Sequence, residues 1–384
     1  MVEKRIIYMD HAATTYTKPK IAEHMLPYYK QGFGNPSSVY AIGRKAKAAV
    51  EKSRDKVGKA LNAPPEQIYF TSGGTESDNW ALKGAAYANI DKGNHIITTQ
   101  IEHHAVLNSC EFLRKHGFEI TYLPVDEFGL IKIDELIKSI TDKTVLISVM
   151  MANNEIGTIQ PIMEIGRIAR DKNIYFHTDA VQAVGNIKID VDKLNIDLLS
   201  LSAHKFYGPK GIGALYIRDG VNIDNLIHGG AQEKNRRAGT ENVPGIVGLG
   251  EAIEVSVENM DRHIQKLTSM RDKLIKGIMD NIPDTRLNGP PDRRLPGNVN
   301  ITFEGIDGES LLILLDEAGI CASAGSACSS GAINPSHVLL AIGLSTEQAS
   351  GTLRFTLGDE NTEDDIDYVI EVLINTVKKL RNKR

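Results

Sequence analysis

Lys205 lies in the segment SAHKFYGPKGIG, residues 202–213, which carries residue types suited to covalent catalysis. An apolar run at 196–201 precedes the segment as a buried strand would, and the glycines and proline after Lys205 interrupt regular structure. The pattern predicts Lys205 on a turn at a strand end, where a partly deprotonated lysine can form a Schiff base. His204 and Ser202 beside it can bind an anion such as phosphate. Taken alone, a histidine-lysine pair is more typical of a solvated loop.

A second candidate segment is SGGTESDN, residues 72–79, which follows another short apolar run. Gly74 and Thr75 fall where a helix is predicted to begin, so unpaired backbone N–H groups and the helix dipole favour a phosphate there. The competing interpretation is a simple helix cap formed by Thr75 with Glu76 or Asp78. By itself, this segment leaves both interpretations open.

Three further polar motifs each follow a predicted strand. In IEHHAV, His103 and His104 point in different directions and make a poor metal pair, but one of them could cover an aromatic ring. Asn154 in MMANNEIG offers an amide to a ligand, and Asp179 and Gln182 in HTDAVQAVG are spaced to face one cavity across a single turn. Asp179 could instead cap the next helical segment.

The combination of these groups indicates one cofactor. A phosphate cradle, a histidine, an asparagine, an aspartate with a glutamine, and a lysine all follow successive strands of one predicted sheet. A metal site would need clustered ligands and a dinucleotide site its glycine fingerprint, and the sequence has neither. Pyridoxal phosphate needs a cradle for its phosphate, a carboxylate for its ring nitrogen and a lysine for its aldehyde. The sequence therefore predicts pyridoxal phosphate as the cofactor.

The elements that must position these groups alternate between short apolar runs and helical patterns. Strands are predicted at 68–71, 96–99, 120–123, 145–150, 174–178, 198–201 and 214–217. Such alternation predicts an α/β domain with a mainly parallel seven-stranded sheet, whose ligands gather at the carboxyl ends of its strands.

A second region follows a long helical stretch predicted at 247–282. Its predicted elements are a strand at 298–303, a helix at 309–317 and a closing amphipathic helix at 362–379. We expect a large domain at 14–258, and a smaller α+β domain built from 1–13 together with 259–384.

The composition excludes several classes of protein. The 384-residue chain is 41% hydrophobic and 24% charged, which is ordinary for a globular protein. Its net charge of -5 comes from 44 basic and 49 acidic side chains that are intermixed, so we expect no nucleic-acid partner. No apolar run reaches the roughly 18 residues of a membrane span, and the N-terminus lacks a signal-peptide core. We therefore expect no membrane association and a cytoplasmic location.

Motifs spread over nearly the whole chain suggest a known family. They are YMDHAATT, FGNPSS, TSGGTESDN, EHHAV, NNEIG, HTDAVQ, SAHKFYGPKGIG, HGG, RRAGTEN, SAGSACSSG and LRFTLG. With them the chain resembles class I cysteine desulfurases, which are class-V-aminotransferase-like, fold type I pyridoxal-phosphate enzymes of nitrogenase or general iron–sulfur cluster assembly. The RRAGTENVPGIVG segment and an end at Arg384, without the longer tail of housekeeping members, favour the nitrogenase-type branch.

The resemblance implies a role for each candidate residue. Lys205 would bind the cofactor aldehyde, Asp179 would pair with the ring nitrogen, and Gln182 would bind the phenolic oxygen. His103 would stack on the ring and take part in catalysis. Asn154 would contact the cofactor and, with Arg354, the substrate carboxylate. The residues implied for the phosphate are Gly74, Thr75, Ser202, His204 and, from the other subunit of a homodimer, Thr240.

The family's reactive cysteine falls on Cys328. Its surroundings at 323–331 are small and polar with two glycines, which predicts a loop able to carry the thiol to the substrate sulfur. Half ionisation of a free thiol at neutral pH requires a pKa shift of roughly 1.5 units, and the sequence does not show its source. The resemblance also makes Cys328 a candidate transient iron–sulfur cluster ligand. Cys110 and Cys321 lie in apolar settings and are predicted to be small core residues.

These inferences predict an enzyme that converts L-cysteine to L-alanine, carries the sulfur as a persulfide on Cys328 and supplies it for iron–sulfur cluster assembly. An iron–sulfur scaffold protein or another thiol would accept the sulfur. One alternative is another enzyme of the same fold, such as an aminotransferase or a selenocysteine lyase, in which Cys328 is incidental. A second is a non-catalytic scaffold or metallochaperone that uses Cys328 with His103 or His104.

Overall fold

The apolar runs of the first part of the chain form one large sheet in the computed structural model, which describes residues 6–324 and 335–382. The described strands are β1 Ile7–Tyr8, β2 Ile68–Thr71, β3 His95–Thr99, β4 Glu119–Leu123, β5 Thr144–Ser148, β6 Tyr175–Asp179, β7 Leu198–Ser202, β8 Gly213–Ile217, β9 Thr285–Leu287, β10 Asn298–Phe303, β11 Ile320–Cys321, β12 Ser323–Ala324 and β13 Thr352–Thr356. Each of the seven strands predicted for the large sheet is found as β2 to β8. Their ends differ from the predicted ends by at most two residues.

The large sheet has the order β2-β8-β7-β6-β5-β3-β4. Strand β8 is antiparallel to both of its neighbours, and the other neighbouring strands pair in parallel. Every residue of β3, β5 and β7 is buried, which explains the nearly continuous apolar sequences of these strands. The predicted mainly parallel sheet is confirmed. The loops that follow the parallel strands consequently begin at one edge of the sheet, which we call the carboxyl edge.

Helices cover the sheet and build the second region. They are α1 Pro19–Lys30, α2 Ala41–Leu61, α3 Gly74–Asn79, α4 Ala85–Ala88, α5 His104–Lys115, α6 Ile133–Ser139, α7 Ile162–Asp171, α8 Val243–Glu258, α9 Met260–Asn281, α10 Gly308–Glu317, α11 His337–Ala341, α12 Thr346–Ser350 and α13 Glu363–Arg381. A π-helical turn, Trp80–Gly84, joins α3 to α4. The long helical stretch predicted at 247–282 is two helices, because Asn259 between α8 and α9 leaves the helical conformation with a ψ of 5°.

The second region has its own sheet and apolar core. Its four strands have the order β12-β13-β10-β9, and β1 pairs with β11 in parallel. Met9, Leu267, Val299 and Ile366 belong to one buried apolar cluster, so the N-terminal residues pack together with the C-terminal elements. The domain boundaries given above remain a prediction.

The chain returns to the large sheet after the second region begins. Val338 and Leu339 of α11 are buried in a cluster with Ile101, Met150 and Ile156, which follow β3 and β5. The C-terminal part of the chain therefore covers part of the carboxyl edge. Among the described helices, none is long and apolar enough to cross a membrane.

Candidate active site

Lys205 ends a short 3-10 turn, Ala203–Lys205, that directly follows β7. Its Nζ donates hydrogen bonds to the carbonyl oxygen of Ala12 at 2.5 Å and to that of Ala13 at 2.7 Å. Gln182 donates from Nε2 to the same Ala12 oxygen at 2.9 Å. The structure thus places Lys205 on the predicted strand-end turn. It also shows that the N-terminal segment holds the amine, which no local pattern indicated.

The two residues before Lys205 lie at the same edge. Ser202 is the last residue of β7 and is only 3% exposed. His204 Nδ1 lies 3.1 Å from Oγ1 of Thr14. Burial, together with the charges of Lys205 and Lys210, lowers the pKa of His204 to about 4. His204 is therefore neutral at neutral pH, where it can donate one N–H to an anion without adding charge.

The turn between β2 and α3 is built from glycine because neighbouring groups leave no room for side chains. A Cβ on Gly74 would lie 2.7 Å from Cγ2 of Val181, and a Cβ on Gly213 would lie 2.7 Å from Cα of Gly73. Ser202 borders the same space, since its Cβ lies 3.7 Å from the position of a Cβ on Gly74. This small cradle of backbone and hydroxyl groups fits a phosphate.

Asp179 is the last residue of β6, and only 6% of its surface is exposed. Its Oδ1 accepts a hydrogen bond from the backbone N–H of Val181 at 2.8 Å. Burial raises the pKa of Asp179, while the charges of His103 and Lys205 act in the opposite direction. A buried carboxyl group close to the Lys205 amine is suited to hold a protonated ring nitrogen. The predicted cofactor therefore fits the residues at this edge.

His103 caps the start of α5, because its Nδ1 accepts the backbone N–H of Ala105 at 3.1 Å. This bond assigns the proton of the neutral ring to Nε2 and fixes the ring plane. His104 is exposed, and its ring lies 4.8 Å from that of His337. The two adjacent histidines thus separate as predicted, with His103 partly buried next to Asp179 and His104 on the surface.

Buried polar groups that the sequence reasoning did not assign to the site lie close to Asp179. Glu102 accepts from Oγ1 of Thr99 at 2.7 Å, and burial raises its pKa to about 8. Burial and the nearby charge of Asp179 raise the pKa of Asp78. Burial lowers the pKa of His177, which lies 3.7 Å from Asp78, to about 3. At neutral pH His177 is therefore uncharged and Glu102 is mostly protonated, whereas the charge of Lys205 opposes the effect of burial on the pKa of Asp179.

Arg354 of β13 reaches the same edge from the second sheet. Its Nη2 donates to Oδ1 of Asp10 at 2.8 Å, and its Nη1 donates to the carbonyl oxygen of Asn154 at 3.1 Å. Its Nε is buried and has no hydrogen-bond partner among the described residues. Two of the three guanidinium nitrogens therefore fix its orientation, and Nε is left for a further acceptor. The structure brings Asn154 and Arg354 together, although they are 200 residues apart.

Comparisons with known proteins identify the family. Residues 7–369 match the aminotransferase class-V family model. The chain belongs to this family. It is 61% identical over 377 residues to a Clostridium botulinum protein named cysteine desulfurase IscS, covering 98% of this chain and 95% of that protein. A solved structure described as a NifS-like protein matches with a TM-score of 0.92, 40% identity and coverage of 98% and 100% of the two chains. Another, described as SspA in complex with cysteine, has a TM-score of 0.82, 41% identity and coverage of 91% and 98%.

These relatives confirm the predicted fold class, pyridoxal-phosphate dependence and cysteine desulfurase activity of this class-V family member. The roles assigned to individual residues remain predictions. Cys328, with its predicted persulfide and cluster-ligand roles, lies outside the described residues. Thr240 is described, and it is exposed on the segment between β8 and α8. Within 6–324 and 335–382, the structure contains no group of three potential metal ligands.

The other two cysteines differ from each other. Cys110 is fully buried in α5, as predicted, and burial raises its pKa far above the ordinary range. Cys321 was expected in the core but is only partly buried in β11. Among the described strands, β11 pairs with the two-residue β1 alone, so it lies in a sheet of only two strands. Burial still raises the pKa of Cys321, so neither thiol is activated.

The residues that were missed share one property. Each of them is a titratable side chain with at least one partner far away in the sequence: Asp10, Glu102, His177 and Asp78, the last considered only as a helix cap. Their positions could have indicated them. His177 is a polar residue inside a mostly buried strand, and Glu102 closely follows the end of β3. A polar side chain in a buried strand needs partners, and such partners are supplied by tertiary contacts.

Proposed function

We propose that this cysteine desulfurase takes sulfur from L-cysteine, releases L-alanine and stores the sulfur as a persulfide on Cys328 before passing it to a thiol acceptor. The main support for the proposal is a set of contacts made by one backbone strip, residues 10–13. This strip contacts the amine of Lys205, the amide of Gln182 and, through Asp10, the guanidinium of Arg354. A Schiff-base lysine and a carboxylate-binding arginine therefore share one site.

The cofactor would be held by the groups at the carboxyl edge. Asp179 would pair with the ring nitrogen, His103 would lie against the ring and Gln182 would donate to the phenolic oxygen. The phosphate would be held by Gly74, Thr75, Ser202 and His204. When bound, pyridoxal phosphate supplies an electron sink that labilises the bonds at Cα of an amino acid. An ionised Asp179 would support that sink because it would favour the protonated ring.

The substrate would be oriented by its carboxylate. Among the residues that the structure describes, Arg354 Nε is buried without a partner, and the two other guanidinium nitrogens are held by Asp10 and Asn154, so the arginine cannot rotate freely. The substrate Cα would then lie towards Lys205, because residues 10–13 contact both Arg354 and Lys205. The Lys205 amine would remove or relay the Cα proton at Nζ, with the carbonyl oxygens of Ala12 and Ala13 as its resting partners.

The sulfur step would use Cys328 as nucleophile. Its thiolate attacks the substrate sulfur, an S–S bond forms and the Cβ–S bond breaks. Cβ keeps the electron pair of the broken bond and takes a proton to become the methyl group of alanine. The persulfide sulfur then passes to an acceptor thiol, for which we propose an iron–sulfur scaffold protein in the cytoplasm.

A homodimer would complete the site. Thr240 is exposed, and it would reach the phosphate of the partner subunit. Apolar side chains between α1 and α2 are strongly exposed, with Phe33 at 70% and Val39 at 85%, and they offer surface that a second copy can cover.

The deciding experiment incubates the purified holoenzyme with L-cysteine and measures alanine and protein-bound persulfide in the same sample, without added thiol. Equal amounts of both are expected in the first turnover. Cys328→Ser should form neither product and should keep the visible absorbance of the cofactor. The matched control, Cys110→Ser, removes a buried thiol and should still form both. Alanine formation by Cys328→Ser at the parental rate would show that Cys328 is not the acceptor.

A further inference from the structure

A buried ion pair anchors the segment 228–240, which carries Thr240, to the large sheet. Arg54 of α2 donates to both carboxylate oxygens of Glu233, at 2.8 Å and 2.7 Å, and each side chain is 3% exposed. The same carboxylate accepts the backbone N–H of Phe70 in β2 at 2.8 Å. Position 233 of the segment is therefore fixed next to the strand that leads into the proposed phosphate turn.

The backbone beside this anchor is strained. Glu233, Lys234 and Asn235 have φ values of 44°, 58° and 62°, in the left-handed region that residues other than glycine and asparagine rarely adopt. Such a conformation persists only where surrounding contacts hold it, and the Arg54–Glu233 pair is such a contact. The Arg54–Glu233 pair therefore fixes the direction of the backbone between Glu233 and Arg237.

Arg237 follows this anchor and contacts Glu76, which closes the proposed phosphate turn. Its Nε donates to Oε1 of Glu76 at 2.8 Å, and its Nη2 donates to Oε2 at 3.1 Å. Glu76 Oε2 also accepts the backbone N–H of Ser72 at 2.8 Å, so the carboxylate closes the turn from Ser72 to Glu76. The side chains of Glu76 and Arg237 are 10% and 21% exposed. A two-pronged contact of this kind fixes orientation as well as distance.

The negative charge of Glu76 lies in the turn that we propose to bind the phosphate. Burial raises the pKa of Glu76, but the hydrogen bonds from Arg237 and Ser72 outweigh burial and leave the pKa below its ordinary value. Glu76 is therefore a carboxylate at neutral pH, in the turn that would receive a phosphate dianion. An uncompensated negative charge there would repel the phosphate.

We propose that Arg237 is a positioning residue for the phosphate end of the cofactor, acting through Glu76. It holds the Ser72–Thr75 turn in shape and cancels the Glu76 charge without itself being assigned to the phosphate. The inference rests on the proposed function, because it takes the Gly74–Thr75 turn as the phosphate site. It predicts a phosphate-specific defect when Arg237 is lost.

The test compares the dissociation constants of pyridoxal phosphate and of pyridoxal, which lacks the phosphate, for the apoenzymes. Arg237→Gln should raise the dissociation constant of pyridoxal phosphate about tenfold and leave that of pyridoxal unchanged, because only the phosphate is repelled by the Glu76 charge. The double variant Glu76→Gln/Arg237→Gln should recover most of this loss, because the repelling charge is gone. Arg236→Gln is the matched control. Arg236 contacts the Ile223 carbonyl oxygen instead, so neither constant should change.

Three outcomes would overturn the inference: an unchanged pyridoxal phosphate constant in Arg237→Gln, an equal loss for both ligands, or no recovery in the double variant. Thr75→Val separates the inference from the proposed function, because it removes a proposed phosphate contact. If Thr75→Val weakens the binding of pyridoxal phosphate more than that of pyridoxal and Arg237→Gln does not, only the Arg237 inference fails. If neither variant has a selective effect, the phosphate site itself is wrong.

Discussion

Arg354→Lys tests how the site recognises its substrate. The parent guanidinium is 3% exposed, donates to Asp10 and to the carbonyl oxygen of Asn154, and keeps its buried Nε without a partner among the described residues. A lysine preserves the charge but offers a single ammonium group, which would stay with Asp10. The substrate carboxylate then loses a hydrogen bond to a charged group, which contributes about 1.5 to 3 kcal/mol.

That free energy corresponds to a KM for L-cysteine that is about 10- to 100-fold higher, since about 1.4 kcal/mol is a factor of ten. The contact is made by a carboxylate that takes no part in bond breaking, so kcat should change much less. Steady-state assays of alanine formation measure both constants. Cysteamine, which lacks the carboxylate, should perturb the cofactor absorbance of parent and variant at the same concentration.

Arg294→Lys is the matched control, because Arg294 is also a buried arginine and donates to the carbonyl oxygen of Pro290. It should leave the KM unchanged even if it lowers the stability. The reasoning is refuted if folded, cofactor-loaded Arg354→Lys has a KM within twofold of the parent. It is also refuted if Arg354→Lys weakens the binding of cysteamine and of L-cysteine by the same factor.

Two further predictions concern stability. Glu233→Gln removes the buried counter-charge of Arg54 and leaves only the half-exposed Glu51. It should lower the free energy of unfolding by about 3 to 5 kcal/mol in urea titrations. Asp55→Asn, at an exposed pair, should change it by less than about 1 kcal/mol. Burial opposes ionisation of Asp359, but hydrogen bonds from His263 and Lys18 outweigh it and hold the pKa well below its usual range. The resulting stabilisation is present above the unfolded pKa of about 3.9 and is lost as the pH falls towards the folded value. Asp359→Asn should therefore flatten the loss of thermal stability below about pH 4, and an unchanged slope would contradict this assignment.

Local patterns were sufficient to find the elements that carry the site. Strand β7 and Lys205 were predictable because an apolar run followed by glycine and proline defines a buried strand and its end within about ten residues. The strand before Asp179 was predicted from the short run at 174–178. The break at Asn259 was not, because the residues on both sides continue a helical pattern and no proline or glycine marks the position.

The sequence by itself therefore determined the succession of strands along the chain, their common edge and the residue types that follow them there. The tertiary structure decided which distant charges become partners. Arg354 and Asp10 are separated by 344 residues, Arg54 and Glu233 by 179 residues. Hydrophobic periodicity reports only which face of an element is buried, and it carries no information about which charge lies opposite another. Those pairings form only when the second sheet and the segment before α8 fold back on the large sheet, and they fix the orientation of the groups that the local sequence supplies.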